Sequence, residues 1–259
     1  MIIWLASYPK SGNTWVRALI TSLLYTPNGE FNFEVIKKIS QFPLREHFTP
    51  FTKECWNLNE LSKYWIIAQE RLNLDNKIKF LKTHHAMCKY NNQTFSNKEN
   101  TLATIYIVRD PRNILTSLSY HYSKSIDEAK NFLLDPTHVI GSDKNTTKNN
   151  DIAALIGSWS NNLNSWKKYN PSNLLLIKYE ELLTDTRSKL NDIILFLKKY
   201  IEVEVSDEKI DNIIRSTTFE NLKNLEKKFG FAEGVEDEIT KKKKNFFHLG
   251  KANDWKKLL

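Results

Sequence analysis

Residues 7–15 read SYPKSGNTW, between the apolar run MIIWLA and the helical-looking VRALITSLLY. A strand that ends in a glycine-containing turn and runs into a helix lets the backbone N–H groups of Ser11, Gly12, Asn13 and Thr14 converge on one anion at the helix N-terminus. Gly12 tolerates positive φ and close approach, Ser11 and Thr14 add hydroxyl donors, and Lys10 sets a full charge beside the ligand. Trp15 offers a ring to a purine. The pattern is not the G-x-x-x-x-G-K-[ST] loop, which needs lysine directly after its second glycine, where this chain has Asn13. A capped strand-to-helix turn with an exposed lysine is the plain structural alternative.

A second group lies in IYIVRDPRNILTSLSYHY (105–122). Arg109 leaves a strand end as a planar fork suited to a phosphate, and Ser117 falls on the following helix on the same side as Asn113. Asp110 either braces Arg109 or caps the helix that begins at Pro111.

Strands and helices must hold these residues. Four short apolar runs predict buried strands at 2–7, 78–83, 102–108 and 173–178. Helical spacing follows the first (Val16, Leu19, Ile20, Leu23), the third (Ile114, Leu115, Leu118) and the fourth (EELLTDTRSKLNDIILFLKKY). The alternation predicts an α/β fold with a central parallel sheet and helices on both faces. Without a repeat or a Pro/Gly-rich linker, the reading is one domain over residues 1–259. Residues 135–150 and 234–244 read as surface segments, and the Phe- and Pro-rich stretch 40–60 as cover for part of a cleft.

Composition narrows the class without choosing a ligand. The 38 Lys and Arg against 30 Asp and Glu give a net charge of +8, which favours anionic partners. Cys55 and Cys88 are too few for a disulfide framework, and MIIWLAS lacks a basic flank and a cleavage site, so a cytoplasmic protein is expected. No run reaches the ~18 apolar residues of a membrane span. The sequons at Asn92 and Asn145 read as accidents of an Asn-rich chain, and no metal is expected at His84, His85 and Cys88.

YPKSGNTW resembles the 5′-phosphosulfate loop of sulfotransferases that use 3′-phosphoadenosine 5′-phosphosulfate (PAPS), and the Arg109/Ser117 spacing resembles their 3′-phosphate element. The likeness continues through KTHH (82–85), GSW (157–159) with Trp166, IKYEEL (177–182) and STTFENLK (216–223). It implies a P-loop NTPase-like fold, PAPS as donor, no metal, no nucleic acid, and a small-molecule or glycan acceptor. It places Tyr179 and Thr217 near the adenine and Phe219 near the nucleotide.

The chemistry so implied is in-line displacement at sulfur, with the acceptor deprotonated on one side and the leaving oxygen neutralised on the other. His84 is the candidate base, since an imidazole accepts a proton near neutral pH. Lys10 would act on the bridging oxygen, with Lys82 sharing that work and Ser117 holding Lys10 back until the acceptor arrives.

The family's C-terminal RKGxxGDWK is here HLGKANDWK (248–256). Gly250, Lys251 and the Asp254-Trp255-Lys256 anchor remain, but His248 and Leu249 replace the Arg-Lys pair. If His248 takes over that role, nucleotide binding strengthens toward pH 6; otherwise Lys251 or one of Lys241 to Lys244 supplies the charge. Residue 259 precedes the place of the short dimerisation motif of many cytosolic relatives, so their dimer is not assumed. A catalytically degenerate nucleotide-binding module and a P-loop kinase stand as alternatives.

Overall fold

The run IIWLAS forms β1 (Ile2–Ser7), buried along its whole length. Burial of both faces is what an interior place in a parallel sheet requires. The computed structural model describes residues 1–141, 152–235 and 243–259. In it β1 is the middle strand of five, in the order β2 (Ser40–Gln41), β3 (Lys79–Thr83), β1, β6 (Thr101–Val108), β9 (Leu174–Lys178). Pairing is parallel at β2/β3, β3/β1 and β1/β6, with Trp4 opposite Leu81 on one side and Thr104 on the other. Two short antiparallel pairs stand apart: β4 (Lys89–Tyr90) with β5 (Gln93–Thr94), and β7 (Val139–Ile140) with β8 (Ala154–Leu155).

The expected α/β class and four of the five strands are thus present. The fifth, β2, lies in a stretch with no apolar run. Its pairing to β3 continues in the Phe42 N–H, which donates to Lys82 O at 2.8 Å. The residues beyond the described ranges include Asn145, Lys241, Lys242 and much of the segments 135–150 and 234–244.

The backbone divides into two compact units that alternate along the chain. The first comprises Met1–Tyr8, Ser40–Val108 and Phe132–Leu176; the second comprises Pro9–Ile39, Arg109–Asn131 and Ile177–Leu259. The helix α6 (Ile126–Leu134) includes one of the crossings.

In the first unit the inward side chains of β1, Ile2, Trp4 and Ala6, share a core with Phe42, Phe48, Trp65, Phe95 and Trp166. The Trp4 ring meets Phe42, Phe95 and Trp166 at centroid distances of 5.7, 5.6 and 6.1 Å, and its Nε1 donates to Thr101 Oγ1 at 2.9 Å. Around this core run α2 (Arg45–Phe48), α3 (Leu58–Leu61), α4 (Trp65–Asn73) and α7 (Trp159–Tyr169). Phe42 and Phe48, expected over a cleft, are fully buried here, because large rings stabilise most where they leave water completely.

The second unit carries α1 (Asn13–Tyr25), α5 (Pro111–Tyr122), α8 (Tyr179–Thr184), α9 (Thr186–Leu197), α10 (Asp207–Ser216), α11 (Phe219–Phe229) and α12 (Trp255–Leu258). Its apolar cluster joins Ala18, Phe31 and Ile36 to Leu222, Phe231 and Phe247. The stretch after β9, read as one helical pattern, is two helices, because Asp185 leaves the helix and its side chain accepts from Ser188 N as the cap of α9.

Candidate functional site

In the second unit, the anion loop takes the left-handed backbone its sequence suggested. Lys10 has φ 66° and Gly12 φ 98°, and the Gly12 carbonyl accepts from Trp15 N at 3.1 Å and Val16 N at 3.2 Å to open α1. A Cβ on Gly12 would stand 2.5 Å from the Tyr179 ring, so both the dihedral and the packing require glycine. The same ring carries the Arg109 guanidinium over its face, 4.2 Å from the centroid, and meets Trp15 edge-on at 5.9 Å. Arg109 Nη1 donates to Lys10 O at 3.0 Å. Three motifs distant in sequence therefore meet at the loop: SYPKSGNTW, the strand-end arginine and IKYEEL.

Arg109 is 7% exposed and has no carboxylate ion-pair partner among the described residues. Burial pulls its pKa below the ordinary value. Its Nε and the buried Ser11 Oγ make no hydrogen bond. Buried donors left in this state fit a site meant to receive an anion. These residues match a phosphate-bearing ligand. Among the described residues, no three His, Cys, Asp or Glu side chains come together to hold a metal.

Asp110 is the cap of α5, its side chain accepting from Arg112 N at 2.9 Å with Pro111 in the first turn, and its charge also acts favourably on Arg109. It also pairs with the Arg112 guanidinium at 2.6 Å. Ser117 lies half-buried one turn beyond Asn113. The NDWK segment is fastened to α5: Asn113 Oδ1 accepts from Trp255 N at 2.9 Å, Asn253 Nδ2 donates to Asn113 O at 2.8 Å, and Arg112 lies over the Trp255 ring.

The departing HLG segment is packed, not frayed. The His248 ring stacks on Tyr120 at 3.7 Å with the planes 4° apart. Burial, then the charges of Lys223 and Lys244, push its pKa below the usual value, which disfavours the charged form. Lys244 Nζ is bonded to Tyr120 O at 2.9 Å and Ser123 Oγ at 2.8 Å. A Cβ on Gly250, which has φ 55°, would meet the Phe219 ring at 2.6 Å, so HLG and STTF pack together. Lys251 is exposed. Thr217 is fully buried and its hydroxyl donates to Ile213 O at 2.7 Å, inside its own helix end.

One residue here gave no sequence signal. Glu233 accepts from Thr14 Oγ1 at 3.3 Å and from Arg17 Nη2 at 2.5 Å, linking a carboxylate to the first turns of α1.

His84 belongs to the first unit, just past the end of β3. Its Nδ1 is 2.8 Å from Ser7 O and 3.2 Å from Ser7 Oγ. A carbonyl only accepts, so Nδ1 carries the proton and Nε2 of the neutral ring holds the lone pair a base needs. Its carbonyl accepts from Asn162 Nδ2 at 3.0 Å. Asn162 is fully buried in α7, and also donates to Ile156 O at 2.9 Å and accepts from Tyr106 OH at 2.9 Å. GSW and Trp166 flank Asn162 in the sequence, but nothing in the residue type or spacing marks Asn162 itself. His85 faces the core: it stacks on Phe95 at 4.0 Å, Nδ1 donates to Ala86 O, and burial lowers its pKa to about 3. Trp166 Nε1 donates to His85 O at 3.0 Å. Lys82 is buried in β3, two residues before His84.

The sulfotransferase domain family matches residues 2–259, and the chain belongs to that family. The amine sulfotransferase of Oryctolagus cuniculus is 24% identical over 262 residues, which are 98% of this chain and 74% of that protein. Two solved structures share the fold. Mouse sulfotransferase SULT7A1 complexed with PAP has a TM-score of 0.54 at 24% identity, covering 86% of this chain and 65% of its own. Retinol dehydratase in a complex with retinol and PAP has a TM-score of 0.59 at 18% identity, covering all of this chain and 76% of its own.

Proposed function

We propose that the chain, read as one sulfotransferase domain, moves a sulfuryl group from PAPS to a hydroxyl or amine of a small-molecule or glycan acceptor. The donor supplies the activated sulfuryl group and leaves as adenosine 3′,5′-bisphosphate (PAP). The observation that carries the reading is the loop itself: positive φ at Lys10 and Gly12, α1 opening behind them, and unbonded buried donors at Ser11 and Arg109. PAP in the two structural neighbours supports the same nucleotide.

Ser11, Gly12, Asn13 and Thr14 hold the 5′ phosphosulfate, and Lys10 brings positive charge to the oxygen that leaves. Arg109, with Ser117, Gly250 and Lys251, receives the 3′-phosphate, while Trp15, Tyr179 and Phe219 border the base. His84 takes the acceptor's proton on Nε2; the hydrogen bond from Nδ1 to Ser7 O supports that tautomer. Lys82 assists the leaving charge.

The test is a panel of phenols, sugars and amines incubated with PAPS labelled at sulfur, run beside ATP with magnesium. Label on an acceptor is the expected result. Phosphoryl transfer from ATP would make the protein a kinase, and tight PAP binding with no transfer to any acceptor would make it a nucleotide-binding module.

A further inference from the structure

Lys10 is held from two sides by side chains outside its own loop. Its Nζ stands 3.3 Å from His121 Nδ1, in the last turn of α5, and 4.1 Å from the centroid of the Phe246 ring. The His121 and Phe246 rings meet edge to face at 6.0 Å. An ammonium has protons to give and no lone pair, so His121 Nδ1 is the acceptor and the neutral ring keeps its proton on Nε2. The face of Phe246 adds its electrostatic attraction for the cation.

Phe246 is itself pinned. Its N–H donates to Glu226 Oε1 at 2.6 Å, and the Phe247 N–H donates to Glu226 Oε2 at 2.9 Å, from a carboxylate that is 9% exposed. The direction of the loop's charge is thus set by α5 and α11 as well as by the loop. His121 also stands one turn beyond Ser117 on α5, on the same strip of the helix. A lysine on a four-carbon stem has much rotamer freedom to lose, and a group that limits it beforehand places the charge at little entropic cost during reaction.

We propose that His121 is a positioning residue for Lys10: its neutral imidazole, unprotonated at Nδ1, fixes with the Phe246 ring where the ammonium of the anion loop points. The effect on rate rests on the sulfotransferase reading; the contact does not. Two measurements separate them. The first is nitrogen-15 NMR of histidine-labelled protein without nucleotide, with the His121 signals assigned by their loss in His121→Gln. The Nε2–H tautomer is expected, with a shift on Lys10→Ala; an Nδ1–H tautomer, or no change on Lys10→Ala, overturns the proposal.

The second is steady-state kinetics with PAPS and an accepted acceptor. His121→Leu is expected to lower kcat about tenfold while KM for PAPS moves less than about twofold. His121→Gln, whose amide oxygen accepts from an ammonium, is expected to restore most of the rate. Equal losses in the two variants, or wild-type kcat in His121→Leu, overturn the positioning role. A wild-type protein that transfers no sulfuryl group would overturn the proposed function instead, and the tautomer would then decide the His121 contact alone.

Discussion

Asn162 makes three hydrogen bonds from a fully buried amide, one of them to the carbonyl of His84. Asn162→Ala strands Tyr106 OH and two carbonyls, and buried groups so orphaned cost ~1–3 kcal/mol, visible as a lowered urea midpoint. Its kcat is expected to fall while PAP affinity holds, since the residues proposed to hold the nucleotide lie on other segments. His84→Ala removes the basic Nε2 itself, and kcat is expected to fall ~10²–10⁴-fold at nearly unchanged PAP affinity; an unchanged kcat would remove His84 from the chemistry. His248 leads to the opposite kind of test. Burial, then the charges of Lys223 and Lys244, hold its pKa below the ordinary imidazole value, so it carries less charge near neutral pH than a free histidine. Beyond the ligand's own titration, PAP affinity is expected to be flat over that range in wild type. His248→Arg is expected to tighten it ~10-fold, the worth of one charge-assisted contact. A rise in affinity toward pH 6 would show that His248 is charged when nucleotide is bound.

α5 depends on Asp110, which accepts from the Arg112 backbone and side chain. Asp110→Ala is expected to cost ~1 kcal/mol of stability at pH 7. The Arg112 side chain is the main cause holding the Asp110 pKa below the carboxylate value. A depressed folded pKa stabilises above the unfolded value of ~3.9 and loses that contribution as pH falls through the folded one. The stability gap between wild type and Asp110→Ala should therefore narrow in melts taken below about pH 4. At this scale the sequence was informative wherever one run decides one element. β1, β3 and β6 each carry enough apolar residues to announce a buried strand; β9 reads the same way but is the sheet edge, with Ile177 buried and Leu176 exposed. β2 does not: two half-buried polar residues pair with β3 because the backbone passes there. The break between α8 and α9 was readable in Asp185 but was hidden by continuing apolar spacing. The residues of the anion loop and the strand-end arginine announce themselves by type and order, whereas Asn162, Glu226, Glu233 and His121 act through contacts that only the folded backbone creates.

For the molecule as a whole, a ligand that binds only the folded state at 100 times its Kd adds about 2.7 kcal/mol, which for a chain of this size raises Tm by ~5–10 °C. PAP at that concentration is expected to produce such a shift in a thermal melt, and ATP with magnesium at the same concentration a smaller one; the reverse order would favour the kinase reading. The two units have a further consequence for how the chain is made. Neither is one continuous stretch, and the second draws Ala18 and Phe31 from the start of the chain and Leu222 and Phe247 from its end. At ~5–20 residues per second, α1 leaves the ribosome roughly 10–40 s before α11, which brings Leu222 to its apolar cluster about 200 residues later, and Phe247 follows later still. Through that interval the helix behind the anion loop waits for part of its apolar cover, and a chaperone that favours short apolar stretches has its longest opportunity at Val16–Leu23.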